Sequence, residues 1–392
     1  MQVILAVDSI FPPLTGIGRY ALELATRLPR QPGIDAVRYL GMWSWVQVPS
    51  LAEPGAASAA LTAPVWYAWF RRTMARQRWA VDAYDVVSEH WRRRLLGGTR
   101  GALFHSPNYF LPDHDGPKVA TVHDLSIYRF PQTHPPARRR YFDLAFERSL
   151  RRAEALITDS EAVRQELIAD FGVASERVTA IHLGVDASFH PRSDEELRPT
   201  LTRHGLQPGG YLLSVATLEP RKKLDRLIAA YAQLPEALRR NYPLVLIGAP
   251  GWLDGPIKAA IERGRAAGWL RFLGYVPEAE LPLVYAGARA LAMISIYEGF
   301  GLPVLEAMAS GVPVLTSNRS CLPEVAGGAA LLVEPDDVGA VVVQLQRLLT
   351  DEPWRREAVE LGLQRARQLT WQRCTDRTAS VYRAVAARCP AA

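Results

Sequence analysis

Cysteine is scarce in this 392-residue chain. Its three cysteines, Cys321, Cys374 and Cys389, are odd in number and lack metal-ligand spacing, which argues against a disulfide framework or a zinc site and for a reducing cytosol. No apolar run approaches the roughly 18 residues that a transmembrane helix needs. The opening MQVILAVD has no basic leader and reaches a charge at Asp8, so it is expected to be a buried first strand and not a signal peptide. Fixed-period repeats and low-complexity tracts are missing too. Nor is one sign of charge in large excess: 46 Lys and Arg against 40 Asp and Glu leave +6, which does not by itself point to nucleic acid.

Apolar residues, at 48%, are ample for two cores, and the length favours two compact units. Short β-rich runs alternate with helical periodicity, the pattern of parallel sheets wrapped by helices. The first series includes QVILAVD, ALFHS, KVATVHD and ALITDS, the second YLLSVA, PLVLIGA, ALAMIS and PVLTSN. Helices are expected at Tyr20–Leu28, Glu161–Phe171, Leu224–Ala232 and Leu302–Ser310, among others. A polar stretch from Asp186 to Gly210 separates the series, giving expected domains 1–190 and 191–370. The tail, 371–392, reads as a helix with Val381, Tyr382 and Val385 as its apolar stripe, expected to pack back on the first domain.

Arginine is concentrated in the first half. Between Trp66 and Trp79, Tyr67, Trp69 and Phe70 interleave with Arg71, Arg72, Arg76 and Arg78. Such a mixture suits the boundary of headgroups and acyl chains, and it suits equally a solvated helix whose aromatics dock on their own domain.

Two motifs mislead. Gly16 to Ala21 matches G-x-G-x-x-G/A, and Asp35 follows at about the distance of a ribose-binding acid, which taken literally predicts an NAD(P)-dependent Rossmann oxidoreductase. The long insertion SIFPPLT, with its two prolines, spoils the tight turn that reading needs. What survives is a glycine-rich helix start at Gly16 and Gly18, open to an anion or merely a turn. Asp113-His114-Asp115 resembles a metal-binding D-x-D, but it lies in a turn-rich stretch and reads as structural.

Three further stretches carry chemistry. In TVHDLS, His123 falls at the carboxyl end of a strand, where open α/β sheets hold ligands and a near-neutral imidazole can donate to developing charge. In TLEPRKK, Arg221 and Lys222 offer a planar fork and a point charge to a diphosphate. In EGFGLPVLEA, Glu298 stands beside a helix entrance, glycines at 299 and 301 keep its amides accessible, and Glu306 lies further along the helix. Carboxylates accept hydrogen bonds from hydroxyl pairs, so a sugar and a ribose are suitable partners.

E-x7-E as EGFGLPVLE, preceded by TLEPRKK and FLGYV and joined by TGIGRY, FHSPNY, TVHDLS and ITDSEAVRQEL, resembles the retaining GT-B glycosyltransferases of family 4, and within them the mannosyltransferase-like enzymes. The resemblance covers nearly the whole chain. It implies two Rossmann-like domains facing across a cleft, the N-terminal one on the acceptor side and the C-terminal one binding a nucleotide sugar. It further implies that Glu306 binds the ribose and Glu298 the transferred sugar, with the amides of Phe300, Gly301 and Leu302 near the sugar and diphosphate. Arg221 and Lys222 neutralise the leaving diphosphate, Gly16 and Gly18 close on it, Tyr275 and Val276 meet the base, and His123 lies near the reacting face. Thr217 departs from the pattern, since many relatives carry arginine there; Arg221 is expected to take over that charge. No metal or other cofactor is implied. The expected partners are a donor, GDP-mannose ahead of UDP-, dTDP- or ADP-sugars, and a lipid-linked glycan acceptor at the cytoplasmic face of the membrane. A non-catalytic sugar-nucleotide-binding scaffold is the third reading.

Overall fold

A computed structural model of the chain describes residues 1–10, 14–47, 78–251 and 254–388. The chain forms two compact units, Met1–Leu183 with Trp371–Ala392, and Gly184–Thr370.

Unit 1 contains β1 (Gln2–Ala6), α1 (Gly16–Arg27), β2 (Ala36–Leu40), β3 (Trp45–Val46), α2 (Arg78–Leu95), β4 (Leu103–Ser106), β5 (Lys118–Val122), α3 (Ser126–Arg129), α4 (Pro136–Arg152), β6 (Ala155–Thr158), α5 (Glu161–Phe171) and β7 (Val178–Ala180). Its sheet runs β3-β2-β1-β4-β5-β6-β7 and is parallel except for β3. Val3 to Ala6 and Leu103 to Ser106 are buried without alternation, as strands covered on both faces must be. Caps set the helix ends. Thr15 accepts from the Gly18 amide, so α1 starts at Gly16, ahead of the Tyr20 that hydrophobic periodicity indicates. Ser160 caps α5, and Gly172, at φ +62, ends it.

The C-terminal helix, Trp371–Arg388, belongs to this unit. Its Tyr382 hydroxyl meets His105 Nδ1 at 2.5 Å, His105 Nε2 meets Thr121 Oγ1 at 2.9 Å, and Tyr20 meets the same Thr121 oxygen at 3.0 Å. This buried chain ties the helix to the middle of the sheet. Burial drives His105 down to about 3, with the neighbouring His123 adding to the effect, so the chain is uncharged.

Unit 2 contains α6 (Asp194–Arg203), β8 (Leu212–Val215), α7 (Leu224–Tyr231), α8 (Glu236–Asn241), β9 (Leu244–Ile247), α9 (Gly255–Ala266), β10 (Leu270–Gly274), α10 (Leu281–Ala286), β11 (Ala290–Met293), α11 (Leu302–Ala309), β12 (Val314–Ser317), α12 (Leu322–Ala326), β13 (Ala330–Val333), α13 (Val338–Thr350) and α14 (Glu352–Gln368). The sheet is wholly parallel in the order β10-β9-β8-β11-β12-β13, with α7 and α13 packed over Leu212, Leu244, Ala290 and Leu315. Its strand order reverses between β8 and β11, and that is where an open α/β sheet leaves a crevice for ligands.

Two expectations need correction. The boundary expected after residue 190 falls after Leu183, and the polar stretch from Asp186 to Gly210 is no linker. It contains α6, started by a capping box between Ser193 and Glu196, with Leu197 and Leu201 buried. The start of helix α14 has no strong apolar signal, because its buried positions include Ala358, Gly362 and Ala366, whose small side chains give little hydrophobic periodicity. They admit close packing: a Cβ on Gly362 would lie 3.3 Å from Met308 of α11.

Candidate active site

Adjacent strands β8 and β11 each end in a loop, and the two loops bring the charges of unit 2 together. After β8, a single 3-10 turn, Pro220–Lys222, presents Arg221 and Lys222. Lys223 ends the turn with φ +52, a left-handed backbone that a lysine adopts only under constraint. Its Nζ is held by Asp336 at 2.7 Å. After β11, the Ile296 amide donates to the Arg221 carbonyl, which locks the loops to one another.

Glu298 then receives both cations. Lys222 Nζ lies 2.6 and 2.8 Å from its two carboxylate oxygens, and Arg221 Nη1 lies 2.9 Å from one of them. Arg221 also donates to the Tyr297 carbonyl at 2.7 Å and reaches Glu219 at 3.4 Å. The side chains of Glu298, Arg221 and Lys222 are only 8%, 11% and 14% exposed, so water screens the cluster weakly. Burial alone would raise the Glu298 carboxyl; Lys222, Arg221 and their hydrogen bonds outweigh it and hold the group below the usual carboxylate range.

Downstream of Glu298, Gly301 has φ +102, and a Cβ there would lie 2.7 Å from Leu322. Only glycine combines that backbone with that approach. As N-cap of α11 it has no side chain to bond the first amides. Phe300 is buried, while Leu302 and Glu306 are half-buried. The buried Tyr285 hydroxyl lies beside Glu306: burial first, then that carboxylate, keeps its proton on well above the ordinary phenol range. Tyr275 and Val276 follow β10, two strands from β8; Tyr275 is exposed and Val276 buried. Unit 2 thus assembles Arg221, Lys222 and Glu298 into one contact cluster, with Phe300, Gly301, Leu302 and Glu306 continuing from it along the chain.

His123, Gly16 and Gly18 belong to unit 1. His123 follows β5 and is buried, with Nδ1 2.7 Å from Asp159 and Nε2 2.7 Å from the Pro107 carbonyl. Both ring nitrogens therefore face acceptors. Burial opposes its charge, but the Asp159 carboxylate, its hydrogen bond and the Pro107 carbonyl prevail and raise the imidazole pKa. A ligand reaches either ring nitrogen only by displacing an existing partner. Gly18 is buried, its amide taken by Thr15 Oγ1, and a Cβ on it would lie 2.8 Å from the Ser9 carbonyl. Gly16 is exposed at the first position of α1.

The dinucleotide reading fails on geometry. Asp35 precedes β2 and pairs with the Met1 ammonium at 2.7 Å, at the amino end of the sheet and so at the opposite edge from the Gly16 loop. Asp113 and Asp115 pair with Arg93 and Arg100, and His114 is buried on the Ala102 carbonyl, a structural turn. Among the described residues no group of three or more His, Cys, Asp or Glu could hold a metal, and no helix is long and apolar enough to cross a membrane. The aromatic–arginine stretch from Trp66 lies outside the described residues as far as Gln77, and only the helical backbone is described for 78–80. The helix that follows it exposes Val86, Val87 and Trp91. Asp159, Ser320 and Cys321 were not singled out from the sequence, although ITDS and NRSCL contain them; their partners lie 21 to 36 positions away, too far for any local pattern.

Sequence families described as Glycosyl transferases group 1 and Glycosyltransferase Family 4 match residues 204–365 and 14–189. The O-antigen chain mannosyltransferase B of Escherichia coli is 38% identical over 384 residues, 98% of this chain and 100% of that protein. Sucrose-phosphate synthase from Thermosynechococcus elongatus superposes with a TM-score of 0.69 at 20% identity, over 99% of this chain and 100% of that one. Anabaena Alr3699/HepE in complex with UDP-glucose superposes at 0.68 with 16% identity, over 98% and 100%. These structural likenesses identify the two-sheet architecture as GT-B.

Proposed function

The chain belongs to family 4 of the GT-B glycosyltransferases, and on that premise we propose that it transfers mannose from GDP-mannose to a growing, lipid-linked glycan of bacterial O-antigen or exopolysaccharide synthesis. The observation that carries the mannose is the end-to-end 38% identity with an O-antigen chain mannosyltransferase. The charge cluster of unit 2 supports the chemistry.

In this reading the difficult event is departure of GDP while the sugar becomes oxocarbenium-like. Arg221 and Lys222 neutralise the departing diphosphate, and preorganised donors of this kind lower such barriers by about 3 kcal/mol each. Glu298, already fixed by those cations, is the acceptor for hydroxyls of the transferred sugar. Glu306 takes the ribose, the amides of Phe300, Gly301 and Leu302 take sugar and phosphate oxygens, and Tyr275 and Val276 meet the base. In unit 1 the proposed donor-binding glycines are Gly16 and Gly18, and His123 is the proposed catalytic imidazole. With no protein nucleophile assigned, the acceptor hydroxyl attacks from the face the diphosphate leaves, the phosphate taking its proton, so the anomeric configuration is retained. The reading requires no metal.

A panel of GDP-mannose, UDP-glucose, dTDP- and ADP-sugars, NAD(H) and NADP(H) in a thermal-shift assay tests the donor, because a ligand stabilises the state it binds. Stabilisation by GDP-mannose and product formation with a retained α-linkage are expected, unchanged by EDTA. Lys222→Ala and Glu298→Ala should each nearly abolish transfer with the fold intact; normal rates in both would remove the site assignment. UDP-glucose is the second donor, favoured by the likeness to Alr3699/HepE. Peripheral membrane contact through 66–79 predicts salt-sensitive sedimentation with anionic liposomes, and sedimentation with none would leave a soluble acceptor.

A further inference from the structure

The loop that carries Glu298 is held by side chains of the neighbouring strand and the loop after it. From the last rung of the β11–β12 ladder, Met293 with Thr316, four hydroxyl or thiol groups run on beyond it. Thr316 Oγ1 donates to the Met293 carbonyl at 2.8 Å and Ser317 Oγ to Ser295 at 2.6 Å. Ser320 Oγ donates to Glu298 at 2.5 Å, and Cys321 Sγ reaches the carbonyls of both Glu298 and Phe300 at 3.1 Å. The steps advance together along both segments, so one strap runs from the strand end to the entrance of α11.

Ser320 is the unusual member. Its φ is +55, a left-handed conformation that a serine rarely adopts. In that conformation one hydroxyl serves both ends of the same residue: it donates to the Glu298 carbonyl and accepts from the Glu298 amide at 3.3 Å. A residue held against its conformational preference, with its one side-chain polar atom spent on the backbone of a buried charged residue, is placed there by what it holds. Arg221 and Lys222 fix the Glu298 carboxylate from one side, and the strap fixes its main chain from the other.

We propose that Ser320 is a positioning residue for Glu298, aligning its carboxylate for the transferred sugar through the Glu298 peptide groups, with Cys321 extending the same hold to Phe300. The proposal rests on the reading of Glu298 as the sugar-binding carboxylate. Ser320 touches no reacting atom. Its loss therefore acts on alignment, where a shift near 1 Å can cost roughly a hundredfold in rate.

The test is a double-mutant cycle with Ser320→Gly and Glu298→Gln in the full chain, using GDP-mannose as donor, octyl α-mannoside as acceptor and GDP release as the readout. Glycine relieves the left-handed backbone while deleting the hydroxyl, so the variant folds; Ser320→Ala, which keeps the strain, is its control. Ser320→Gly should lower kcat by roughly ten- to a hundredfold. KM for GDP-mannose and the thermal shift given by GDP should stay within about twofold of the parent protein, a split that general destabilisation would not produce. In the Glu298→Gln background the same change should alter residual turnover by less than about twofold, since nothing is left to align. An equal loss in both backgrounds overturns the proposal, as does a normal kcat in Ser320→Gly and Ser320→Ala when Glu298→Gln is inactive. An unchanged kcat in Glu298→Gln alone overturns the reading of Glu298 itself, and the strap's role with it.

Discussion

Replacing Glu298 with glutamine keeps the shape of the side chain and removes its charge, leaving Arg221 and Lys222 facing one another. At an effective dielectric near 20, unit charges about 2.8 Å apart attract by roughly 6 kcal/mol, most of it cancelled by the cost of removing them from water. Deleting one partner of a buried pair loses the attraction without recovering that cost, and typically destabilises by about 3–5 kcal/mol. Here Lys222 is 14% exposed and regains some hydration, and Arg221 keeps Glu219 at 3.4 Å and the Tyr297 carbonyl. A loss of about 2–4 kcal/mol follows, and for a unit the size of Gly184–Thr370 this lowers Tm by roughly 5–15 °C. Scanning calorimetry checks it on the transition that GDP shifts. Because a diphosphate supplies the missing negative charge, saturating GDP should raise that Tm further in Glu298→Gln than in the parent protein. A variant that melts within about 1 °C of the parent, with the same GDP shift, would refute the claim that Glu298 neutralises these cations.

Three other outcomes are expected. The Glu298 pKa is depressed, so its contribution to stability is complete above the ordinary carboxyl value of 4.5 and is lost as pH falls through the lower folded value; the acid limb of unit 2 melting should flatten in Glu298→Gln. His123 has the opposite sign: its raised pKa gives stability that is present below 6.5 and lost as pH rises through the folded value. Asp159→Asn keeps the shape and should remove that alkaline loss at a cost of about 1–2 kcal/mol, read from urea titrations at several pH values. Gly301→Ala puts a Cβ 2.7 Å from Leu322 on a backbone with φ +102, so about 1–3 kcal/mol of strain should appear as a lower Tm and a reduced kcat; a normal kcat would separate that backbone from the chemistry.

Much of the site was legible as residue types at strand ends. Arg221, Lys222 and Glu298 stood out because cations and a carboxylate next to glycine and proline, after apolar runs, mark loops at the carboxyl edge of a parallel sheet. Their mutual pairing was not legible, since Lys222 and Glu298 meet across 76 positions only because β8 and β11 are neighbours. His123 was found by the same rule, but its partner Asp159 follows β6 and was not.

The alternation of strands and helices was legible in the amino-acid sequence, because burial on both faces of a parallel sheet demands short continuous apolar runs. The sequence also determined helix ends where a cap is local, as at Ser160 and Gly172, and it carried the family through E-x7-E. The return of the tail to unit 1 at Trp371 was expected from its helical pattern, but only tertiary structure moved the end of the first segment from residue 190 to Leu183. It decided that Asp35 lies at the wrong end of its strand for a ribose, and that Ser320 reaches the backbone of Glu298. These are matters of register and strand order, set by long-range packing, and no window of neighbouring residues contains them.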